Sequence, residues 1–290
     1  MVISAQMQSD QRWRHLLSLL SDMRLAVVAF SGGVDSSLLL RAAAETLGQN
    51  LIAVTAASET YPSGELEHAK SFARSLGIRH RIIESKELEQ EAFTRNGPDR
   101  CYHCKRELFS RLRMLAESEG IAEVLDGANH DDNLDYRPGR RAALEFSVRS
   151  PLAEAGMTKE DIRTLAKSLG LAAWDKPSLA CLSSRIPYGT QITPALLLKI
   201  QQAEDIVRGA GVRIVRVRHH GDIARIEIEP SSFYSFLRDE ELRESIVRKI
   251  KALGYTYVCL DMGGYRSGSM NEQLSAEVKE REMASRGERI

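Results

Sequence analysis

The sequence predicts an α/β protein: a doubly wound parallel sheet followed by a smaller C-terminal α+β domain. Three observations carry this. Short apolar runs alternate with helical stretches between residues 25 and 126, the pattern of parallel strands joined by crossover helices. The first run, Leu25-Ala26-Val27-Val28-Ala29-Phe30, enters a Gly-Gly turn and leaves it as the Leu/Ala-rich helix that contains Leu38-Leu39-Leu40. Past residue 186 the pattern changes to a hairpin of alternating apolar and charged residues set between helices.

The elements follow in order. Trp13, Leu16, Leu17, Leu19 and Leu20 make residues 10–22 an amphipathic helix, with Trp13 as a core anchor. The helix after the Gly-Gly turn ends at Gly48. Leu51–Ala56 is the second strand, 63–76 a helix closed by Gly77, and His80–Glu84 the third strand. Asn96-Gly97-Pro98-Asp99 breaks the chain, and Cys101-Tyr102-His103-Cys104 leads into a helix over 105–118. Ala122–Asp126 is the fourth strand. Asp135–Arg141 is a polar loop, and Thr158 caps a helix over 158–169. Trp174–Ser178 crosses toward the second domain. There, helix 193–209 precedes the hairpin 212–220 and 223–229, a helical segment 231–252 and a last strand 255–261. The domains are expected at 1–185 and 186–271, with a charged, disordered tail at 272–290.

Composition narrows the function. Lysine plus arginine balances aspartate plus glutamate at 40 each, which argues against a dedicated nucleic-acid binder. No apolar run approaches a membrane span, and the polar N-terminus does not read as a signal peptide. A cytoplasmic protein without nucleic-acid or membrane partners is expected. In such a compartment the four cysteines, Cys101, Cys104, Cys181 and Cys259, are ligands or catalytic thiols rather than disulfides. Cys259, mid-strand among apolar residues, is expected to be buried.

The turn after the first strand, Ser31-Gly32-Gly33-Val34-Asp35-Ser36-Ser37, is built to bind an anion. Its glycines permit a sharp turn and close backbone approach, and the helix that follows aims unpaired N–H groups at one point. No lysine follows the glycines, so it is not the loop that holds a β/γ-phosphate through Gly-Lys-Ser/Thr. At the end of the fourth strand, Asp126-Gly127-Ala128-Asn129-His130-Asp131-Asp132 suits a Mg²⁺–pyrophosphate complex or a nucleotide sugar. A solvated acidic loop is the alternative. Cys101-x-x-Cys104 with Cys181 supplies three thiolates. That is too few for a closed zinc site and the right number for a [4Fe–4S] cluster with one open iron, while isolated CxxC pairs also serve redox chemistry.

Ser-Gly-Gly-Val-Asp-Ser resembles the PP-loop of ATP pyrophosphatases, which implies adenylation of an acyl oxygen with release of pyrophosphate. Four further segments extend the likeness: Cys101–Lys105, Asp126–Asn129, Ala180-Cys181-Leu182-Ser183-Ser184-Arg185 and Gly264–Asn271. Together they resemble the LarE family of ATP-dependent sulfur transferases, across most of residues 15–271. The resemblance implies a small nucleotide substrate, pyridinium-3,5-biscarboxylic acid mononucleotide, whose carboxylates become thiocarboxylates on the way to a nickel-pincer nucleotide cofactor. It also implies a homo-oligomer, a hexamer in this family. One variant of the family sacrifices the sulfur of a single cysteine, at the place of Cys181; another holds a [4Fe–4S] cluster on three cysteines. Cysteine at all three places resembles the cluster-dependent form.

The resemblance gives the residues roles. Ser31, Gly32, Gly33, Asp35 and Ser36, with Asp126, Asn129, Ser184 and Arg185, would bind ATP and pyrophosphate with Mg²⁺. Cys101, Cys104 and Cys181 would hold the cluster. Either the Cys181 thiolate or hydrosulfide on the cluster would attack the acyl-adenylate, the sulfur coming from hydrosulfide or a sulfur carrier. Arg216, Arg218 and Arg266 are candidates for the substrate phosphate, which arginine matches as a bidentate donor. For Arg216 and Arg218 a solvated strand face is the alternative. Glu204 is a candidate base, or a solvated helix glutamate. Competing functions are a tRNA thiolase, an amidating synthetase that shares the loop, and a non-catalytic nucleotide or metal sensor.

Overall fold

The computed structural model describes residues 11–61, 64–133, 138–177, 180–266 and 268–275. Asp135, Tyr136 and Arg137 of the expected polar loop, Ser178, Ser267 and the tail beyond Ser275 lie outside them.

Four parallel strands form the central sheet in the order β3-β2-β1-β4: β1 (Ala26–Ala29), β2 (Leu51–Ala57), β3 (Arg79–Glu84) and β4 (Glu123–Leu125). Helices α1 (Gln11–Ser21), α2 (Val34–Leu47), α3 (Glu65–Ser75) and α4 (Arg100–Ser118) precede or join them. β1 sits between β2 and β4 and is apolar throughout because both of its faces are covered. On one face Trp13, Leu16 and Leu20 of α1 pack with Leu38 and Leu39 of α2, in a cluster that also takes Ile162 and Leu165. Phe109 and Leu112 of α4 fill the other face against Val27 and Val124. Trp13 is 1% exposed, the core anchor its position in the amphipathic pattern implies.

α5 (Gly139–Glu145) and α6 (Lys159–Ser168) follow β4. Thr158 caps α6 through a capping box with Asp161. α7 (Pro194–Arg208), capped by Thr193, leads into a second sheet, order β5-β6-β7: β5 (Val215–His220), β6 (Ile223–Ile228) and β7 (Tyr257–Leu260). The expected hairpin is present as the antiparallel pair β5–β6, and β7 adds in parallel. The helical segment 231–252 divides at Asp239 into α8 (Phe233–Arg238) and α9 (Glu240–Ala252), because Asp239 turns extended and caps the second helix with its carboxylate.

Two expectations are corrected here. α4 begins at Arg100, five residues earlier than the pattern indicates, so Cys101 and Cys104 lie within its first turns. An i, i+3 pair on a helix shares one face, and that is what brings the two thiols together. Cys259 is exposed rather than buried: β7 is an edge strand with one open face, which it shares with Tyr257. Among the described residues no helix is long and apolar enough to cross a membrane.

Candidate active site

β1 delivers the PP-loop to the carboxyl edge of the sheet, where doubly wound folds bind their ligands. Phe30 extends the strand by donating to the Val54 carbonyl at 2.8 Å, and the Thr55 hydroxyl donates to the Phe30 carbonyl at 2.7 Å. Gly32 then turns with φ +75°, a region closed to most side chains, and Gly33 caps α2. Inside the loop, the Ser31 and Ser36 hydroxyls stand 3.1 Å apart and Ser36 donates to the Gly33 carbonyl at 3.2 Å. The loop is preorganised by its own hydroxyls before any ligand arrives.

The strand end of β4 comes close beside it. A Cβ on Gly127 would lie 3.0 Å from the Ser36 nitrogen and 3.1 Å from its Cα, so only glycine lets the two loops approach this closely. Gly127→Ala is therefore expected to displace the PP-loop, at an overpacking cost of about 1–3 kcal/mol. Titration calorimetry should show Mg²⁺-ATP binding weakened about tenfold while the fold is retained.

Asp35 and Asp126 line the cavity below the loop, as does Asp132. Asn129 donates to Asp35 at 3.2 Å, and Lys159 of α6 forms an ion pair with the other Asp35 oxygen. Asp126 accepts from the Ser150 hydroxyl at 2.7 Å. Asp35, Asp126 and Asp132 bring hard carboxylate oxygens to this wall without gathering around one point, so a Mg²⁺ ion here would take much of its coordination from the triphosphate itself. Lys159 supplies the positive charge at Asp35 here. No sequence signal points to it, since it comes from a helix start 124 residues away.

A single cavity of about 680 Å³ runs from the PP-loop to the second sheet. Cys101, Cys104 and Cys181 line it together with Ser31, Asp35 and Ser36 of the PP-loop, and with Ser184 and the arginines Arg216, Arg218 and Arg266. Cys101 is exposed, and the surface it faces is the cavity. Arg100, Cys104, Cys181 and Tyr188 line the same cavity. Burial accordingly pushes the Cys101 thiol up, against the opposing charge of Arg100. Cys104 is raised further, by burial and by the charge of Glu87. In the metal-free protein Cys104 should stay a neutral thiol through neutral pH, becoming a thiolate only above the usual thiol range. Its alkylation by iodoacetamide, followed by mass spectrometry against pH, should therefore turn on at higher pH than for free cysteine.

Among the described residues no three histidine, cysteine or acidic side chains already stand around one point as a metal group. The thiols are nonetheless close enough for Cys181 to act electrostatically on both Cys101 and Cys104. Three soft sulfur donors on one cavity wall suit an iron–sulfur centre by donor chemistry, with side-chain closure required to ligate it.

Several groups that the sequence does not flag support this wall. Tyr61 lines the cavity beside all three thiols, and burial followed by their charges pushes its phenol far up. Glu87, fully buried, accepts from the hydroxyls of Ser58, Thr60 and Ser85. Thr60 in turn accepts the Leu182 N–H at 2.6 Å and so ties this cluster to the Cys181 segment. Tyr188 takes Arg100 over its ring at 4.8 Å and donates to Asn271 at 3.1 Å.

Arg185 and Glu204 fall elsewhere than the sequence suggests. Arg185 is 1% exposed, and it is not part of the cavity wall. It donates to both oxygens of Glu204, at 2.8 and 3.2 Å, and to the Ala180 and Cys181 carbonyls at 2.6 and 2.9 Å. Glu204 is fully buried; it also pairs with Arg208 and accepts the Val217 N–H at 3.1 Å. Burial pushes its carboxyl up, but the charge and hydrogen bonds of Arg185, then Arg216 and Arg208, hold it below the usual glutamate range. A carboxylate so enclosed and so well partnered is neither solvated nor free to act as a base. The pair instead fixes the backbone of Cys181.

The charged face of the hairpin is likewise buried. Arg218 donates to Glu227 at 2.7 Å, to Ser269 at 2.9 Å and to the Ser184 carbonyl at 3.0 Å. Arg216 stacks 5.2 Å from the Tyr265 ring centre. Its guanidinium is lowered to about 10 by burial and the neighbouring Arg185 charge, the condition of a cation that an incoming anion would relieve. Arg266 is more open, between Asp261 and Glu272.

A glycine-turned strand-to-helix loop with acidic residues beneath it, opening on the same cavity as three thiols, defines an ATP-using enzyme of the PP-loop class. A family model for asparagine synthase matches residues 18–116. Over 261 residues the chain is 41% identical to the pyridinium-3,5-bisthiocarboxylic acid mononucleotide synthase of Lactiplantibacillus plantarum, covering 90% of this chain and 94% of that one. An uncharacterized Synechocystis protein is 41% identical over 92% of this chain and 99% of its own. A Methanocaldococcus jannaschii protein, also uncharacterized, is 33% identical over 83% and 90%. The chain belongs to the LarE family of ATP-dependent sulfur transferases.

Proposed function

We propose that the protein adenylates the carboxylates of pyridinium-3,5-biscarboxylic acid mononucleotide and converts them to thiocarboxylates. The observation that carries this is the single cavity shared by the PP-loop, three thiols and the arginines of the second sheet. Each part answers a chemical need. A carboxylate is a poor electrophile, and transfer to AMP gives its oxygen a good leaving group. Ser31, Gly32, Gly33, Asp35 and Ser36 hold the phosphates, with Mg²⁺ on the acidic residues. Ser184 lines the same cavity and would donate to a phosphate oxygen there. Arg216, Arg218 and Arg266 anchor the substrate phosphate, so that its ring extends toward Cys181. Enclosure by Tyr61 and Tyr188 keeps water from the acyl-adenylate, which would otherwise hydrolyse.

Cys101, Cys104 and Cys181 would hold a [4Fe–4S] centre. Bound there, it supplies one iron without a protein ligand, where exogenous sulfur can be taken up. The test is incubation of the anaerobically purified protein with ATP, Mg²⁺, sulfide and the mononucleotide. Pyrophosphate and a product in which sulfur replaces oxygen are expected, with iron and acid-labile sulfide in the protein. Pyrophosphate formation with tRNA but not with the mononucleotide would refute the substrate. Zinc alone, or a cluster that survives in Cys101→Ala/Cys104→Ala, would refute the centre.

A further inference from the structure

Arg140 of α5 is half-buried on the cavity wall, and its guanidinium Nη1 is enclosed without a hydrogen-bond partner. A cationic donor withdrawn from water with nothing to donate to is unfavourable by more than an ordinary lost hydrogen bond. Such a group is satisfied when an anionic ligand completes it.

The surroundings make the reading specific. The adjacent Arg141 turns away, stacking 3.8 Å over the ring of Tyr102, which itself donates to Glu145 at 2.8 Å. The other arginines of the wall are engaged with protein: Arg100 with Asn96, Arg218 with Glu227, Arg266 with Asp261 and Glu272, and Arg216 with the Val215 carbonyl and Tyr265. Arg140 alone among the described wall arginines has no hydrogen bond or ion pair to protein. Its backbone is also fixed in place. A Cβ on Gly139 would lie 2.9 Å from Lys105 Cγ and 3.5 Å from the Cys101 carbonyl oxygen, so α5 is pressed against the cysteine-bearing turn of α4.

We propose that Arg140 is an anion-binding residue of this cavity that takes an oxyanion of a reactant, either a phosphate of ATP or a carboxylate of the pyridinium substrate. Each presents two anionic oxygens on one atom, on a planar carbon or a tetrahedral phosphorus, that a guanidinium fork can bind in pairs. The carboxylate source rests on the substrate proposed above; the phosphate source does not.

The test is titration calorimetry of the full chain with Mg²⁺-ATP and, separately, with the mononucleotide, for wild type, Arg140→Gln, Arg140→Lys and Arg141→Gln. Arg140→Gln is expected to weaken one ligand by about tenfold or more, the loss typical of a charge-assisted bond. Arg140→Lys should keep part of the affinity, and Arg141→Gln all of it. Weakening confined to ATP assigns the phosphate, and weakening confined to the mononucleotide assigns the carboxylate. The melting temperature of Arg140→Gln should not fall, because no hydrogen bond or ion pair to protein is removed; a residue with a structural task would lower it. Unchanged affinity for both ligands would overturn the proposal. If wild type itself fails to bind the mononucleotide, the substrate reading is lost, and the ATP titration alone then decides Arg140, with unchanged affinity overturning it.

Discussion

Replacing Arg185 by methionine is expected to lower the free energy of unfolding by about 3–5 kcal/mol, measured by urea denaturation at neutral pH. The magnitude follows from what is left behind. Glu204 is fully buried, and its bidentate partner would be gone, leaving Arg208 and one backbone N–H to support the charge. The Ala180 and Cys181 carbonyls would lose their donor as well. Arg185→Met/Glu204→Met should recover much of the loss, because an apolar pair of similar volume leaves no unpaired buried charge. The pH dependence has a fixed sign. Glu204 is held below its ordinary value, so its contribution is complete above the usual glutamate range and fades as pH falls toward the folded-state value. The stability gap between wild type and Arg185→Met should therefore narrow in acid. A gap that is flat or widens there would show that the pair is not the source. Activity should fall too, since the pair holds the backbone that carries Cys181.

The PP-loop was legible because all of its chemistry is local: a strand, two glycines, two hydroxyls and a helix start lie within a dozen positions. The shared face of Cys101 and Cys104 needed only the helix to begin at Arg100. Glu204 was not legible. Its position on an amphipathic helix looks solvated until the chain folds Arg185 onto it from 19 residues away. For Arg218 the sequence leaves a phosphate ligand and a solvated strand face both open; its pairing with Glu227 is enclosed by Ser184 and Ser269, which approach from distant segments. Glu87 has the same character, a lone carboxylate whose hydroxyl donors come from two separate loops. Cys259 went the other way: an apolar run does not reveal that its strand ends up at a sheet edge. Local geometry follows from local sequence, while the partner that makes a buried charge tolerable is a product of the whole fold.

The second large effect concerns Cys181. On the proposed assignment adenylation rests on the PP-loop and sulfur delivery on the thiols, so the two steps should separate in Cys181→Ala. The PP-loop, its acidic neighbours and Gly127 make no hydrogen bond to the Cys181 side chain among the described residues. Pyrophosphate release on mixing Mg²⁺-ATP with the mononucleotide should persist in that variant. Thiocarboxylate formation should fall by about a thousandfold or more, the scale on which loss of a reacting thiol acts. The acyl-adenylate, denied its sulfur, would either remain bound or be hydrolysed, and in the latter case pyrophosphate would continue to accumulate without thiolated product. The same variant separates the two sulfur sources when compared with Cys101→Ala. A sacrificial Cys181 needs no partner thiol, so Cys101→Ala would still give one turnover and Cys181 would lose its sulfur, seen as a mass decrease. A centre held by three cysteines loses a ligand in either variant, and both would then be inactive while Cys181 keeps its mass in Cys101→Ala. Retained sulfur transfer over many turnovers in Cys181→Ala would remove Cys181 from the reaction altogether.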